Sequence, residues 1–371
     1  MKKIMVVFGT RPEAIKMCPL ILELKQRKDL KVVVTLTGQH NEMLEQVMEV
    51  FKIKEDYNLR IMKKEQTLTD IATSIMEGMK PILEEEKPDL VLVHGDTSTS
   101  FVVALSSFYN NIPIGHVEAG LRTYNKLSPY PEEFNRQAIS SMADLHFAPT
   151  KRAKENLIQE KKSESSIFVT GNTVIDALKV TVSKDYQNSI LDFAKDKKLI
   201  LLTMHRRENL GQKMQSAFRG IRRVLEESED LALLYPVHLN PKVRELAKKE
   251  FGGSSKISLI EPVDVFDFHN IMKKSYLILT DSGGIQEEAP ALGKPVLVLR
   301  DSTERPEGIE AGTLKLIGTD EQTVYRELKN ILKNREDYEK MSKAINPYGD
   351  GNASLYIADI IEDYFKEKST I

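Results

Sequence analysis

A chain of 371 residues, 41% of them hydrophobic, carries enough apolar material for real cores, and two domains is the expected division. Its 53 basic and 55 acidic side chains leave a net charge of -2, which removes the electrostatic ground for binding nucleic acid or an anionic membrane surface, so any anion site must be local. Cys18 is the only cysteine, which excludes a disulfide framework and a cysteine metal cage and suits a reducing, cytoplasmic compartment.

The opening segment MKKIMVVFGTRPE has two lysines and an apolar run, but the run is strand-length and reaches Gly9 and Arg11 too early for a secretory signal. No apolar segment approaches the length of a membrane span. Lys3 to Phe8 reads as a parallel strand buried on both faces. Gly9-Thr10-Arg11 turns the chain into a helix, and Pro12 suits its first turn, where the missing N–H would be unpaired anyway. Ile15, Pro19, Leu22 and Leu24 give that helix an apolar face, with Lys16 one turn beyond Pro12. Strands are predicted near Val32–Leu36, Leu90–His94 and Ile114–Val117, and helices near Met43–Phe51, Leu68–Leu83 and Glu133–Met142. Such alternation implies a parallel sheet covered by helices.

A second series follows Val169-Thr170-Gly171-Asn172, after a helix and polar connector over Val174–Lys198. Its strands are predicted near Leu199–Thr203, Ala232–Tyr235, Ile257–Ile260, Tyr276–Thr280, Val296–Leu299 and Thr313–Leu316. The economical architecture is α/β, with two doubly wound Rossmann-like domains facing each other across a cleft, residues 1–172 and 173–352. A terminal helix from about Ala353 to Lys366 is a candidate to pack back on the first domain.

In open α/β sheets ligands bind beyond the carboxyl ends of the strands. Here those ends are polar: Arg11 and Lys16, then Asp96, then Glu118 in the first half; His205, Arg206, His238, Asp281 and Ser282 in the second. The run YLILTDSGGIQEEAPALGKPVLVLRDSTERPE places Ser282-Gly283-Gly284 at the start of a helix carrying Glu287 and Glu288, with Arg300 and Arg305 beyond the next strand. A helix N-terminus holds unpaired N–H donors and the positive end of the peptide dipoles, so a phosphate is its natural occupant. Each residue also has an ordinary reading. Arg11 could pair with Glu13, Asp96 could cap the helix starting near Thr97, Glu118 could be a solvated loop acid, and His205 could be a core histidine. His40, His94, His116 and His146 read as structural.

Absent motifs narrow the chemistry. No G-x-x-x-x-G-K-[ST] occurs, no G-x-G-x-x-G follows the first strand, no Asp-x-Asp pair offers a metal-diphosphate clamp, and no HExxH suggests zinc. The expected cofactor is none, with diphosphate held by Arg, Lys, His and a helix N-terminus.

The segments FGTRPEAIKMCPL, VHGDTST, GHVEAGLRT, SPYPEEFNR, MHRREN, PVHLNP, LTDSGGIQEEAPALGKPVLVLRD, TERPE and NPYGDG, spread in order over nearly the whole chain, resemble the non-hydrolysing UDP-N-acetylglucosamine 2-epimerases. The resemblance implies a GT-B-like fold, a cytoplasmic homodimer, and interconversion of UDP-GlcNAc and UDP-ManNAc without metal or nicotinamide. It implies that UDP is eliminated to leave a bound 2-acetamidoglucal and is then added back. It further implies that Asp96, Glu118 and Glu132 supply acid/base groups, with His205 in the catalytic set. Arg11, Lys16, Ser282, Gly283, Gly284 and Arg305 would hold UDP, Glu288 its ribose hydroxyls and Phe268 its uracil. Residues matching an activator site for a second UDP-GlcNAc are Gln39, His40, Gln66, Glu132, Arg206 and His238. Glu42 and Glu65 depart from the family there, and an added acid and a missing cation near a diphosphate imply weak or absent activation and hyperbolic kinetics. A glycosyltransferase on the same fold, a hydrolysing epimerase, a nucleotide-sugar sensor and an epimerase of another UDP-2-acetamido sugar are the alternatives.

Overall fold

The computed structural model describes residues 1–38, 41–63 and 65–370, so the expected activator contacts Gln39 and His40 lie outside the described residues, as does the side chain of Glu42. The chain divides into two compact units, Met1–Val180 with Tyr348–Ile371, and Thr181–Pro347.

The first unit alternates β1 (Lys2–Phe8), α1 (Arg11–Lys25), β2 (Leu30–Leu36), α2 (Asn41–Val50), β3 (Tyr57–Asn58), α3 (Leu68–Glu86), β4 (Leu90–His94), α4 (Ser98–Tyr109), β5 (Ile114–Val117), α5 (Glu132–Met142), β6 (Leu145–Ala148), α6 (Lys151–Gln159), β7 (Ile167–Val169) and α7 (Thr173–Thr181). Among the described residues its strands form one parallel sheet in the order β3-β2-β1-β4-β5-β6-β7. Sheet faces covered by helices on both sides demand continuous apolar strands, and Ile4 to Phe8 and Leu90 to Val93 are fully buried. The order runs outward in both directions from the β1/β4 pair. That pair is the topological switch point, where the two strand ends diverge and leave a crevice.

The second unit repeats the scheme with β8 (Lys198–Thr203), α8 (Gln212–Glu226), β9 (Leu231–Pro236), α9 (Pro241–Phe251), β10 (Ile257–Ile260), α10 (Val265–Lys274), β11 (Leu277–Thr280), α11 (Gly283–Ala291), β12 (Val296–Val298), α12 (Pro306–Glu310), β13 (Leu314–Leu316), α13 (Glu321–Lys333) and α14 (Arg335–Lys343). Its sheet order, β10-β9-β8-β11-β12-β13, puts the switch point between β8 and β11. The last helix, α15 (Ala353–Thr370), returns to the first unit and packs on α1.

Three strands of the first sheet, β3, β6 and β7, were not expected from the sequence. They are two to four residues long. Residue 173 was expected to open the second domain, whereas α7 groups with the first unit. The Asp176 carboxylate explains this, accepting the Ala353 and Ser354 N–H groups at 3.2 and 2.7 Å and so capping the first turn of α15.

Candidate active site

At the β1/β4 switch point of the first unit, α1 begins with Arg11 behind a Thr10 cap, Pro12 in its first turn and Glu13 closing a capping box. One turn later Lys16 reaches the Glu118 carboxylate. Glu118 follows β5 in the left-handed region, φ +62°, a conformation that costs a non-glycine residue free energy and is held by its surroundings. Its Oε2 also meets His94 Nε2 and Asn172 Nδ2, each at 3.1 Å. Burial alone would raise the Glu118 pKa, but the Lys16 ammonium and His94 outweigh it and hold the carboxyl well below the usual range.

Asp96, two residues beyond β4, behaves in the opposite way. Burial pushes its carboxyl above the ordinary range, and neighbouring Glu118 and Glu132 add to the rise. The Arg136 guanidinium, 2.5 Å from Asp96 Oδ2, opposes it without cancelling it. Glu132 opens α5, and its Oε2 is buried with no hydrogen-bond partner among the described residues. A buried acceptor left in that state is ready for a ligand or a proton. Asp96 and Glu118 therefore share one rim with proton affinities pushed in opposite directions, the arrangement that lets one site both take and give a proton.

In the second unit the corresponding rim is cationic. Ser282 caps α11 through its backbone alone, leaving the N–H groups of the first turn facing outward. A Cβ on Gly283 would come within 2.8 Å of Glu304 Oε1, the end of a flexible side chain, so Glu304 would have to shift to admit it. Glu287, 2% exposed, pairs with Arg305; Glu304 pairs with Arg206 at 2.9 Å and with Arg300. Asp281, fully buried at the end of β11, accepts the His205 N–H at 3.0 Å, the Arg206 N–H at 2.8 Å and the Asn209 amide at 3.0 Å. That carboxylate shapes the loop after β8. The His205 ring stacks on His238, centroids 5.0 Å apart, and His238 Nδ1 accepts the Asn240 N–H at 3.1 Å. Burial lowers the His205 pKa, and His238 and Arg206 lower it further against the pull of Asp281, so its imidazole is neutral at neutral pH.

The remaining sequence candidates are placed as follows. Glu288 lies one turn into α11, its Oε2 3.4 Å from His269 Nε2. Phe268 on α10 is half-buried against the Leu201, Leu234 and Ile278 cluster. Gln66 uses its amide within its own turn, accepting the Lys63 N–H at 2.8 Å and donating to the Ile61 carbonyl at 2.6 Å. His94, which reads as structural in the sequence, instead touches Glu118. Its register partner is Val117, so strand pairing could have shown that the residue after Val117 is a neighbour. Arg136 and Asn172 gave no signal of their own, although Arg136 stands four residues after Glu132 on α5 and therefore shares its helix face. Among the described residues no three His, Cys, Asp or Glu side chains converge in a way that could hold a metal ion.

The family described as UDP-N-acetylglucosamine 2-epimerase matches residues 22–362. A UDP-N-acetylglucosamine 2-epimerase of Bacillus subtilis is 58% identical over 357 residues, 96% of this chain and 94% of the relative. An S. aureus MnaA–UDP co-structure superposes with a TM-score of 0.91 at 54% identity, covering 99% of this chain and 97% of the other. A Neisseria meningitidis UDP-GlcNAc 2-epimerase bound to UDP-GlcNAc gives 0.89 at 47% identity, covering 97% of this chain and 100% of the other.

Proposed function

Because the chain belongs to the UDP-N-acetylglucosamine 2-epimerase family and inverts C2 of UDP-N-acetylglucosamine, we propose how its own residues carry that reaction. The C2 proton of a pyranose is not adjacent to a carbonyl, so its removal alone would leave an unsupported carbanion. Coupling it to departure of UDP solves the difficulty. The C2–H electron pair forms the C1=C2 double bond while the C1–O bond to the diphosphate breaks, leaving bound UDP and 2-acetamidoglucal. Protonation at C2 on the opposite face, with return of the diphosphate oxygen to C1, gives UDP-N-acetylmannosamine.

Two faces call for two proton carriers. Asp96 and Glu132 fill that role, the first because burial raises its proton affinity, the second because its Oε2 is buried and unpartnered. Glu118, kept ionised beside Lys16 and His94, acts on the site's electrostatics and orients Lys16. Arg11, Lys16 and Arg305, with the Ser282-Gly283-Gly284 turn, hold the diphosphate and stabilise its charge as it leaves; losing one such donor costs about 3 kcal/mol. Neutral His205 adds a hydrogen bond to the leaving oxygen. Glu288 accepts the ribose hydroxyls and Phe268 stacks on the uracil. Gln66, Arg206 and His238 belong to an activator site weakened by Glu42 and Glu65. A homodimer rests on the family resemblance, and a cytoplasmic location on the single, buried cysteine.

The observation that carries this reading is the split between Asp96, raised, and Glu118, lowered, on one rim. Incubation with UDP-GlcNAc in D₂O, without added metal or NAD, tests it by NMR at C2. UDP-ManNAc carrying deuterium at C2 is the expected product. Isomer that keeps its original C2 hydrogen, or free ManNAc with UDP as the sole products, would rule the mechanism out.

A further inference from the structure

We propose that Glu13 is a positioning residue for this reaction, holding the turn that carries Arg11 and the turn that carries Asp96 in one fixed geometry. The proposal rests on the assignment of Asp96 as a proton carrier. In the sequence Glu13 offered nothing beyond a surface partner for Arg11. In the structure it is 1% exposed, and its two oxygens face different turns.

Oε2 accepts the Gly9 N–H at 3.0 Å, the Thr10 N–H at 2.8 Å and the Thr10 hydroxyl at 2.8 Å, all in the turn from β1 into α1. Oε1 accepts the Thr97 hydroxyl at 2.7 Å and meets Ser100 Oγ at 3.0 Å, both in the first turn of α4, directly after Asp96. Thr97 is itself the cap of α4, accepting the Ser100 N–H at 3.0 Å. One carboxylate therefore joins the starts of two helices at the two strand ends of the switch point, through backbone N–H groups on the α1 side and through hydroxyls on the α4 side. Its negative charge sits where both helix dipoles are positive, which favours it. Backbone spacing is equally constrained, since a Cβ on Gly9 would lie 2.0 Å from Thr37 Oγ1 and 2.7 Å from Thr99 Oγ1.

The consequence is mechanical. Arg11 follows Thr10 by one residue, and Asp96 precedes Thr97 by one residue. The far side of the Asp96 turn is tied separately, by the Asn135 amide donating to the Asp96 carbonyl at 2.9 Å. Removing the Glu13 carboxylate cuts the near side of the turn off from the β1/α1 turn, leaving it the Thr97 cap and the Ser100 hydroxyl on the His94 carbonyl, while the far side stays attached. A proton carrier displaced by about 1 Å can lose on the order of 100-fold in rate. Substrate affinity should suffer less, because Arg11 is one of several proposed diphosphate contacts and two of the others, Arg305 and the Ser282-Gly283-Gly284 turn, make no use of Glu13.

Glu13→Ala and Glu13→Gln test this in the full chain, with kcat and KM for UDP-GlcNAc and a thermal melt for each variant. In Glu13→Ala kcat is expected to fall about 100-fold while KM rises less than about 5-fold. Glu13→Gln should restore at least about a third of wild-type kcat, since its carbonyl oxygen can accept from Gly9 and Thr10 while its NH₂ donates to the Thr97 and Ser100 oxygens. A folded Glu13→Ala with kcat within about threefold of wild type overturns the proposal, as does a loss carried wholly by KM, or a Gln variant as inactive as the Ala variant. Where Glu13→Ala does not fold, Ser100→Ala replaces it. That variant should lower kcat about fivefold at unchanged KM, and an unchanged kcat overturns the proposal. Asp96→Asn measured in parallel separates the two ideas. Wild-type turnover in Asp96→Asn removes the premise, whereas an inactive Asp96→Asn beside a fully active Glu13→Ala removes the positioning role.

Discussion

The β1/β4 rim of the first unit and the β8/β11 rim of the second are the same piece of topology put to opposite electrostatic use. In each, adjacent strands lead in opposite directions across the sheet, and the turns at their carboxyl ends form the crevice. At the first rim Glu132 Oε2 is buried and unpartnered among the described residues, and the cations Lys16 and Arg136 lie against Glu118 and Asp96. At the second rim the acids are the scaffold: Asp281 shapes the His205 loop, Glu287 holds Arg305, and Glu304 holds Arg206 and Arg300. The difference teaches that an acid's function in such a crevice is read from what already surrounds it. Proton transfer needs a carboxylate that keeps an oxygen free, and anion binding needs cations aimed by carboxylates that have none to spare.

The sharpest way to break this comparison is at the first rim. Asp96→Asn preserves shape but removes the titratable oxygen, and kcat should fall about 1,000-fold with loss of C2 deuterium exchange. UDP affinity, measured by calorimetry, should change less than about threefold, because Asp96 is not among the proposed diphosphate, ribose or uracil contacts. A large loss of UDP affinity in this variant would mean that the two rims do not divide the work as described.

The second rim should fail in the complementary manner. Arg305→Ala removes a proposed diphosphate cation and takes the Arg305 guanidinium from Glu287, which is 2% exposed. UDP affinity should drop about 30-fold, and the unit should lose about 3 kcal/mol in a urea melt, the usual cost of breaking one side of a buried pair. Deuterium exchange at C2 should persist at saturating substrate. If exchange vanishes while affinity stays, Arg305 belongs to the chemistry rather than to the grip.

Much of this was legible in the sequence, for a physical reason. Strands buried on both faces are continuous apolar runs, so Leu90–His94 and Ile114–Val117 match the observed strands residue for residue. Residues that follow such runs must lie at strand ends, which is why Asp96, Glu118 and His205 could be proposed from order alone. The family resemblance supplied Glu132, Phe268 and the activator residues, whose roles no period or spacing encodes. What stayed hidden depends on contacts between distant segments. Nothing near Asp176 says that it caps a helix starting at Ala353, and nothing near Glu13 says that Thr97 and Ser100 will meet its second oxygen. Opposite proton affinities at Asp96 and Glu118 are likewise set by Arg136, Lys16 and His94, which lie 40, 102 and 24 residues away from the acids they face.

The smallest expected effect separates the rims by sign, in the pH dependence of stability. Glu304 is raised by burial, but Arg305, Arg206 and Arg300 overcome that and bring it down to about 2, against 4.5 for an ordinary glutamate. A carboxyl depressed on folding binds fewer protons in the folded state than in the unfolded one over that interval. Its stabilisation is therefore complete above pH 4.5 and is lost as pH falls towards 2. Because the Glu304 side chain is 31% exposed, solvent screening reduces the effect to on the order of 2 kcal/mol. Glu304→Gln should accordingly be less stable than wild type at pH 6, and the gap between their urea midpoints should close on acidification. Asp96 carries the reverse sign. Its carboxyl is raised on folding, so its contribution is greatest below the ordinary aspartate range and is lost as pH rises through the folded value. Asp96→Asn should then be as stable as wild type in acid and more stable at neutral pH. Midpoint differences that move in the same direction for both variants would show that the two rims are not electrostatic opposites.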